Sequence, residues 1–481
     1  MAGRFLSAFK TISRITPEVS PPKRKVGFNE KLFWTGLALA LYFIMCEVPL
    51  YGVPKTAQGV DPFLYLRVIF ASHHGSLMEL GIGPIVTAGL ILQLLAGSGM
   101  IQADMSNPDD RMLFTTASKW FTVILVGVQA SAYIIGGVYG TLDPRASVLI
   151  FSQLMVAGIV IMLLDELIQK GWGIGSGISL FILAGVAQDV LWESFSPAPS
   201  LVGGAESLRG YGAIVALIQA LMQRAFTLQY LFNRPENLPT MLGFFTTIVV
   251  FLVVIYMEGV RVEMPISYAG YKGFGGQYPI KLLYVSNLPV IFASALFANI
   301  YFISEIVWSR DNHLNLNPWL NLLGRYTIPT NATSPVPIGG LVYYVTPPSS
   351  LPATLADPTR AIAYTGILVC FSIIFSLTWL EVGGLGPSTV AKQLVDAGMQ
   401  IPGFRRSEKP IEQVLKRYIP TVTILGGAIV GLIAAVANFF GVFGTGMGVL
   451  LAVGILYQYY QLLAEERAAE MYPALRRFLG G

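Results

Sequence analysis

Long apolar segments separated by shorter polar ones recur along nearly the whole chain. An α-helix needs about 20 apolar residues to cross the hydrocarbon core of a bilayer, and ten segments reach or approach that length. Hydropathy places them at roughly 32–51, 82–97, 120–138, 147–164, 174–191, 241–257, 288–304, 361–380, 421–440 and 444–463. The pattern therefore predicts an all-α polytopic membrane protein with ten transmembrane helices, which we number spans 1–10.

One further apolar segment, AIVALIQAL within 212–221, is about ten residues long. That length favours an interfacial or re-entrant helix over a span. A spanning helix here would reverse the membrane orientation of every later span and would place the basic 381–420 loop outside.

The segment between spans 1 and 2 differs from all the spans. Residues 61–72 form a short amphipathic stretch that carries Arg67, and it is too short to cross the membrane alone. Span 2 then begins among Gly81, Gly83 and Pro84, residues that gain nothing from facing lipid. A broken span preceded by a half-helix is tolerated where the backbone is buried in protein or lines water. We therefore expect both pieces to line an internal cavity.

Composition and charge agree with a membrane protein. The chain is 54% hydrophobic and 12% charged, whereas an average soluble domain is about 25% charged. If the N-terminus is inside, the inside segments hold 22 of the 31 Lys and Arg residues, so the positive-inside rule predicts that both termini are cytoplasmic. We expect no cleavable signal peptide, because no short apolar h-region opens the chain.

The order of the spans predicts a division into two halves. We expect a cytoplasmic amphipathic segment at 1–30, a first five-helix half at 31–192 and an external linker at 193–240. A second five-helix half at 241–465 would carry cytoplasmic loops 258–281 and 381–420, and a cytoplasmic tail would follow at 466–481. An odd number of spans in each half reverses the second half, which permits an inverted repeat around a central pathway.

Signals for catalysis, metals or cofactors are weak. His73, His74 and His313 have no Cys or carboxylate at ligand spacing, so we expect solvated loop histidines and no metal site. There is no phosphate-binding Gly-x-x-x-x-Gly-Lys-Ser/Thr motif, and GWGIGSGIS at 171–179 fits close packing through small residues better than a nucleotide fingerprint. We therefore expect neither an enzyme nor a cofactor.

The polar content of the spans separates a channel from a transporter. Mid-span charges, which usually mark ion or proton pathways, are scarce, and this disfavours the alternative of a secondary transporter for a small solute. Thr87, Gln129 and Asn299 are uncharged polar residues in spans 2, 3 and 7. They fit either ordinary interhelical hydrogen bonds or a polar functional cluster.

Aliphatic pairs spaced i, i+4 occur where spans 2 and 5 are rich in glycine. Ile82 pairs with Val86, and Ile178 pairs with Ile182. Such pairs fit simple packing, but they would form an apolar constriction that closes a pore by dewetting if the glycine faces line a cavity.

Four segments resemble the SecY family of protein-translocation channels, and more closely its archaeal and eukaryotic branch. They are DPFLYLRVIFASHHGSLMELGIGPIVTAGLILQLLAGS at 61–98, DELIQKGWGIGSGISLFI at 165–182, YPIKLLYVSNLPVIFASAL at 278–296 and RRSEKPIEQVLKRYIP at 405–420. The resemblance runs from span 1 to span 10. It implies the pore-forming subunit of the Sec translocon, which conducts unfolded secretory polypeptides and releases transmembrane segments laterally into lipid.

The same resemblance implies roles for particular residues. Residues 61–72 would be the plug, with Arg67 paired to Glu381, and spans 2 and 3 would face spans 7 and 8 as the lateral gate. The pore ring maps onto Ile82, Val86, Ile178, Ile182, Ile291 and Leu451. The polar cluster of the gate maps onto Thr87, Gln129 and Asn299. Ribosome docking maps onto Lys272, Arg405 and Arg406, although the loop SYAGYKGFGGQ offers only Lys272 where relatives tend to carry several arginines.

Partners and location also follow from the resemblance. It implies two small membrane subunits, one SecE-like (gamma) and one Sec beta-like, together with the ribosome, nascent signal-bearing polypeptides and membrane lipid. The 405–420 motif resembles archaeal members of the family more than eukaryotic ones. This implies a location in the cell membrane, with the endoplasmic reticulum membrane as the alternative. Asn331 begins a sequon in a predicted external loop.

Overall fold

The computed structural model describes residues 16–53, 71–97, 101, 108–136, 139, 142–199, 209–223, 232, 234, 238–268, 275–283, 285, 288–327, 335–348, 350–400 and 407–471. Each predicted span corresponds to a helix in this part of the chain. Spans 1–5 are Phe28–Glu47, Gly83–Gly97, Pro108–Ile135, Pro144–Leu167 and Gly177–Phe195. Spans 6–10 are Met241–Gly259, Leu288–Asp311, Pro358–Val382, Glu408–Phe439 and Gly446–Met471.

Eight of these helices, spans 3–10, are both long and apolar enough to cross a membrane by themselves. Span 1 has 20 residues, but Glu30, Lys31 and Glu47 near its ends dilute its hydropathy. Span 2 has only 15 residues. It is therefore the incomplete span that its glycines and proline predicted.

The helix ends differ most from the prediction at span 9. Hydropathy began this span at 421, but the helix begins at Glu408 and continues through Pro420. Its first three turns are amphipathic, with Ile411, Leu415 and Ile419 buried in a second hydrophobic cluster beside the loops that follow spans 6 and 8. Because hydropathy averages the two faces of a helix, it does not detect such an extension.

The loops that follow spans 6 and 8, predicted to be cytoplasmic, meet in a small sheet. Strands β1 (Arg261–Tyr268) and β2 (Gly275–Lys281) form an antiparallel hairpin, and β5 (Met399–Gln400) pairs with the other edge of β1. The helix Pro387–Asp396 packs against span 9 beside this sheet. These strands were not predicted, and they join the two loops into one layer.

On the predicted external side, β3 (Arg325–Thr327) pairs with β4 (Val336–Gly339). Three short helices accompany them, at Pro318–Leu323, Leu341–Val345 and Leu351–Ala356. The apolar segment near 212–221 forms the ten-residue helix Ala213–Met222, half the length that a span needs. Asn331 lies outside the described residues.

The largest hydrophobic cluster lies at the centre of the bundle and receives side chains from spans 1, 2 and 4–10. Span 2 packs against spans 7 and 8, and span 5 packs against span 10. The contacts between the two predicted halves therefore converge on the two glycine-rich spans, where the sequence placed its candidate constriction.

Candidate functional site: a closed aliphatic constriction

All six residues predicted for the pore ring belong to the central cluster or pack directly against it. Ile82, Val86, Ile182 and Leu451 are buried, while Ile178 and Ile291 are half-buried. They come from the start of span 2 and from spans 5, 7 and 10. The six aliphatic side chains therefore share one hydrophobic cluster, as expected for a constriction that would exclude water and ions.

The backbone at each end of the constriction explains how these side chains reach it. Gly81 adopts a φ of +54°, which turns the chain immediately before Ile82 and span 2. The span 4–5 connection is a π-helical turn, Ile168–Trp172, followed by an irregular stretch up to Gly177. The small residues of 171–179 thus form a connecting turn, and its glycines also pack closely against other spans, as expected: a Cβ on Gly175 would lie 2.8 Å from Tyr459 of span 10, and one on Gly177 would lie 2.6 Å from Asp165 of span 4.

A buried acidic side chain fixes the start of span 5. The carboxylate of Asp165 accepts a hydrogen bond from the backbone N–H of Ile178 at 2.9 Å and another from the Gln169 amide at 2.7 Å. This satisfies a donor that the first turn of a helix otherwise leaves unpaired. Asp165 therefore positions the helix that presents Ile178 and Ile182.

Span 10 packs against the turn between spans 4 and 5. The hydroxyl of Tyr459 donates a hydrogen bond to the carbonyl oxygen of Ser176 at 2.9 Å. Gly175, with a φ of +78°, lies so close to this ring that a Cβ would be 2.8 Å from it. The glycine therefore allows the close approach of span 10, which carries Leu451.

Residues 54–70, including Arg67 and most of the predicted plug, lie outside the described residues. The last two plug positions, Ala71 and Ser72, are buried, and Ala71 belongs to the central cluster. The Tyr42 hydroxyl of span 1 donates to the carbonyl oxygen of Ala71 at 3.3 Å. The end of the plug segment therefore packs directly beside the constriction.

The connection from the plug to span 2 is held by a buried carboxylate. Glu79 is almost fully buried, accepts the backbone N–H of Gly75 and lies 3.2 Å from Nδ1 of His74. His73 and His74 are half-buried in this turn, so the expectation of solvated histidines was wrong for both. Their burial follows from the polar scaffold that Glu79 builds, and the described residues contain no group of three or more potential metal ligands.

The predicted gate helices are in contact. Span 2 packs against spans 7 and 8. Near the other end of the seam, Tyr133 of span 3 stacks on Phe302 of span 7 with 5.0 Å between ring centroids. A Cβ on Gly136 would lie 3.2 Å from Ile306 of span 7. Spans 3 and 7 therefore touch side by side.

The three predicted polar gate residues have different environments. Thr87 is buried, and its hydroxyl has no hydrogen-bond partner among the described residues. Asn299 is half-buried and donates to the carbonyl oxygen of Ala295 in its own helix, and Gln129 is also half-buried. Within the part of the chain that the structure describes, no hydrogen bond joins the three, so an interhelical polar cluster stays a prediction.

The remaining predicted site residues are peripheral. Lys272, Arg405 and Arg406 lie outside the described residues, although the β1–β2 hairpin and β5 flank them in sequence. Glu381 is exposed in the last turn of span 8, and its pairing with Arg67 stays a prediction because Arg67 is not described.

Sequence reasoning missed an ion cluster on the side predicted to be cytoplasmic. Glu166 binds the ammonium groups of Lys119 and Lys170, and Lys170 also binds Glu18. The hydrogen bond from Lys170 holds the pKa of the Glu18 carboxyl below its usual value. The N-terminal segment is thereby attached to spans 3 and 4. The i, i+4 spacing of Glu166 and Lys170 is a local pattern, but the pairs Lys119–Glu166 and Lys170–Glu18 are 47 and 152 residues apart and left no local signal.

Comparison with known proteins agrees with this architecture. The model of the SecY family matches residues 76–460, and a model described as the plug domain of Sec61p matches residues 41–75. The protein translocase subunit SecY of Pyrococcus horikoshii is 45% identical over 473 residues, which cover 97% of each chain.

Solved structures agree equally well. One described as the structure of a protein conducting channel is similar with a TM-score of 0.80 and 39% identity, covering 96% of this chain and 98% of that chain. Sec61 in the canine ribosome-channel complex from the endoplasmic reticulum gives a TM-score of 0.78 and 37% identity with the same coverage. Family model, sequence relative and solved structures agree over nearly the whole length, and this chain therefore belongs to the SecY family.

Proposed function

We propose that this chain is the pore-forming subunit of a Sec translocon and that its six aliphatic residues form the seal of the pore. An unfolded polypeptide would enter from the cytoplasm, displace the plug and pass between these side chains. The observation that carries this proposal is the convergence of Ile82, Val86, Ile178, Ile182, Ile291 and Leu451, from four spans, at one buried centre. Flexible aliphatic side chains can part around a chain of any sequence and close again behind it.

Lateral release of hydrophobic segments would occur between spans 2 and 3 on one side and spans 7 and 8 on the other. The stacked rings of Tyr133 in span 3 and Phe302 in span 7 support this assignment. They join the two sides of the gate by a side-chain contact, which can separate while both helices stay intact. Thr87, with an unsatisfied buried hydroxyl, would gain a polar partner when this seam rearranges.

The partners are inferred from the relatives. Sec61 occurs in a ribosome-channel complex, so we assign ribosome docking to the cytoplasmic layer that β1, β2 and β5 build, with Lys272, Arg405 and Arg406 as its phosphate contacts. The ribosome or another partner would supply the work of translocation. SecE-like and Sec beta-like subunits would complete the complex in the membrane.

We further assign both termini to the cytoplasm and the chain to the archaeal cell membrane, with two inverted halves at 31–192 and 241–465. The distribution of Lys and Arg supports the orientation, and the identity to the Pyrococcus subunit supports the membrane. Glycosylation tagging of loops on either side would test the orientation.

The seal is tested by making single ring residues polar. Ile82→Ser and Ile182→Ser are made with and without deletion of 61–72, so that the plug cannot mask a leak, and ion conductance is measured in planar bilayers. We expect conductance at least several-fold above that of Ile303→Ser, a control on span 7 whose side chain is exposed to lipid. Ring variants that remain as impermeable as this control, in folded complexes, would contradict the proposal.

A further inference from the structure

The external segment after span 7 presents its apolar side chains outward. Residues 312–324 read NHLNLNPWLNLLG and contain no Lys, Arg, Asp or Glu. Four large apolar side chains in this segment are strongly exposed: Leu314 at 74%, Leu316 at 79%, Trp319 at 79% and Leu322 at 66%. We call these four residues the outward patch.

Three of the four asparagines of the same segment, Asn312, Asn315 and Asn321, are buried or half-buried and hydrogen-bonded within the protein, whereas the exposed Asn317 caps the short helix that follows it. The Asn312 amide donates to Asn321 at 2.8 Å, and Asn321 donates to the carbonyl oxygen of Asn315 at 2.8 Å. Asn315 accepts from the Trp308 indole of span 7 and donates to the carbonyl oxygen of Tyr326. A segment facing water would bury its leucines and expose its asparagines, so this inverted arrangement indicates apolar surroundings.

The position of the outward patch fits the lipid headgroup region. The apolar part of span 7, Pro289–Arg310, has 22 residues, and at about 1.5 Å per residue it is about 33 Å long. That matches a hydrocarbon core of about 30 Å. Residue 314 therefore begins just beyond the hydrocarbon boundary, and the patch continues the lipid-facing surface to which Ile303 is exposed.

Charge favours lipid over a protein as the occupant. Exposed Arg310 and Arg325 flank the uncharged patch, which places guanidinium groups at the depth of lipid phosphates. The asparagine side chains are largely committed to the internal network, whereas a protein partner would normally form about one hydrogen bond per 100–200 Å² of interface. Lipid acyl chains form no hydrogen bonds, so they can cover this patch without polar partners.

We propose that residues 312–324 are an interfacial anchor, which inserts Leu314, Leu316, Trp319 and Leu322 into the outer leaflet beside span 7. Because span 7 is a wall of the lateral gate, the anchor would hold the external end of this helix at a fixed depth. When the gate opens, the rest of span 7 would then pivot about its external end, which the anchor holds in place.

The test measures the depth of the patch directly. Single cysteines replace Trp319 or, independently, Leu316 in a Cys46→Ala, Cys370→Ser background, carry an environment-sensitive fluorophore, and are studied in the complete complex in liposomes. Quenchers are lipids with spin labels at the headgroup, at carbon 5 or at carbon 12, and aqueous iodide. Glu263→Cys on the cytoplasmic hairpin, exposed to water, is the control.

We expect quenching at both patch positions to be strongest with the headgroup and carbon-5 labels, and iodide quenching to be reduced several-fold relative to the control. Adding Leu316→Asp to the Trp319→Cys protein should restore iodide quenching at position 319. Quenching by iodide alone at both positions would mean a solvated loop and would overturn the proposal. Protection from every quencher would mean a protein occupant and would overturn it equally.

Discussion

At the scale of single residues, Asp165 shows how one buried side chain fixes the start of span 5, which carries two of the proposed ring residues. Its carboxylate accepts the Ile178 N–H at 2.9 Å, directly beside the constriction. Asp165→Ala would leave that buried donor unpaired, at a cost of about 1–3 kcal/mol. We expect a fall of several degrees in the melting temperature of the detergent-solubilised complex.

The matched control for this substitution is Asp143→Ala. Asp143 precedes span 4 at an exposed position, and its side chain makes no capping hydrogen bond. It should leave the melting temperature nearly unchanged. Equal melting temperatures for the two variants would contradict the role of Asp165.

The candidate ring residues could be named from the sequence, whereas the residues that hold their helices in place could not. Ile82, Val86, Ile178 and Ile182 could be found because an i, i+4 aliphatic pair beside glycines is a local pattern that the family resemblance then extended. Tyr459 gave no such signal, because its partner Ser176 is 283 residues away. Glu79 gave no signal either, since burial is a property of the fold and not of the sequence around the residue.

At the scale of elements, the turn between spans 4 and 5 depends on Gly175. A Cβ there would lie 2.8 Å from the ring of Tyr459, and the φ of +78° is unfavourable for any other residue. Gly175→Ala should therefore destabilise the complex by about 1–2 kcal/mol through the backbone alone, with the steric clash in addition. Gly259→Ala, where a Cβ meets nothing within 4 Å, is the control.

A double substitution separates the backbone strain at Gly175 from the steric clash with Tyr459. Combining Gly175→Ala with Tyr459→Ala removes the clash but leaves the backbone strain, so the pair should be less destabilising than the sum of the two single substitutions. Chemical denaturation of the four proteins measures the coupling. Strict additivity would show that the ring does not touch this glycine.

The type and order of the helices could be predicted, but their ends and the strands could not. Apolar length decides whether a helix can span, which is why all ten segments correspond to helices. The first turns of span 9 are half polar and were missed because their apolar face packs on the cytoplasmic layer. Strand β5 has only two residues and pairs with a strand more than 130 positions earlier in the chain, so no periodicity could indicate it.

At the scale of the whole molecule, the proposed function requires two places to open, the proposed constriction and the proposed lateral gate. Tyr133 and Phe302 stack across spans 3 and 7, and such a pair contributes about 0.5–1.5 kcal/mol beyond its buried area. Replacing either ring by alanine should shift the gate towards opening by up to about tenfold. Distances between spin labels on spans 3 and 7 measure this shift.

Phe245 of span 6 provides the control, because its ring is exposed to lipid. Phe245→Ala should leave the distance distribution between spans 3 and 7 unchanged. The same distribution in Tyr133→Ala or Phe302→Ala as in the unaltered protein would show that this contact does not hold the gate.

The central claim is that polypeptides pass through the middle of the bundle, and photocrosslinking to a stalled, signal-bearing nascent chain tests it most directly. A photoreactive residue replaces Val86, Ile178 or Ile291 in turn, and Val156 of span 4, whose side chain is 61% exposed on the lipid-facing surface, serves as the control. We predict adducts at the three ring positions and none at Val156. With a ribosome bound and the nascent chain long enough to reach, no adducts at any ring position would contradict the account.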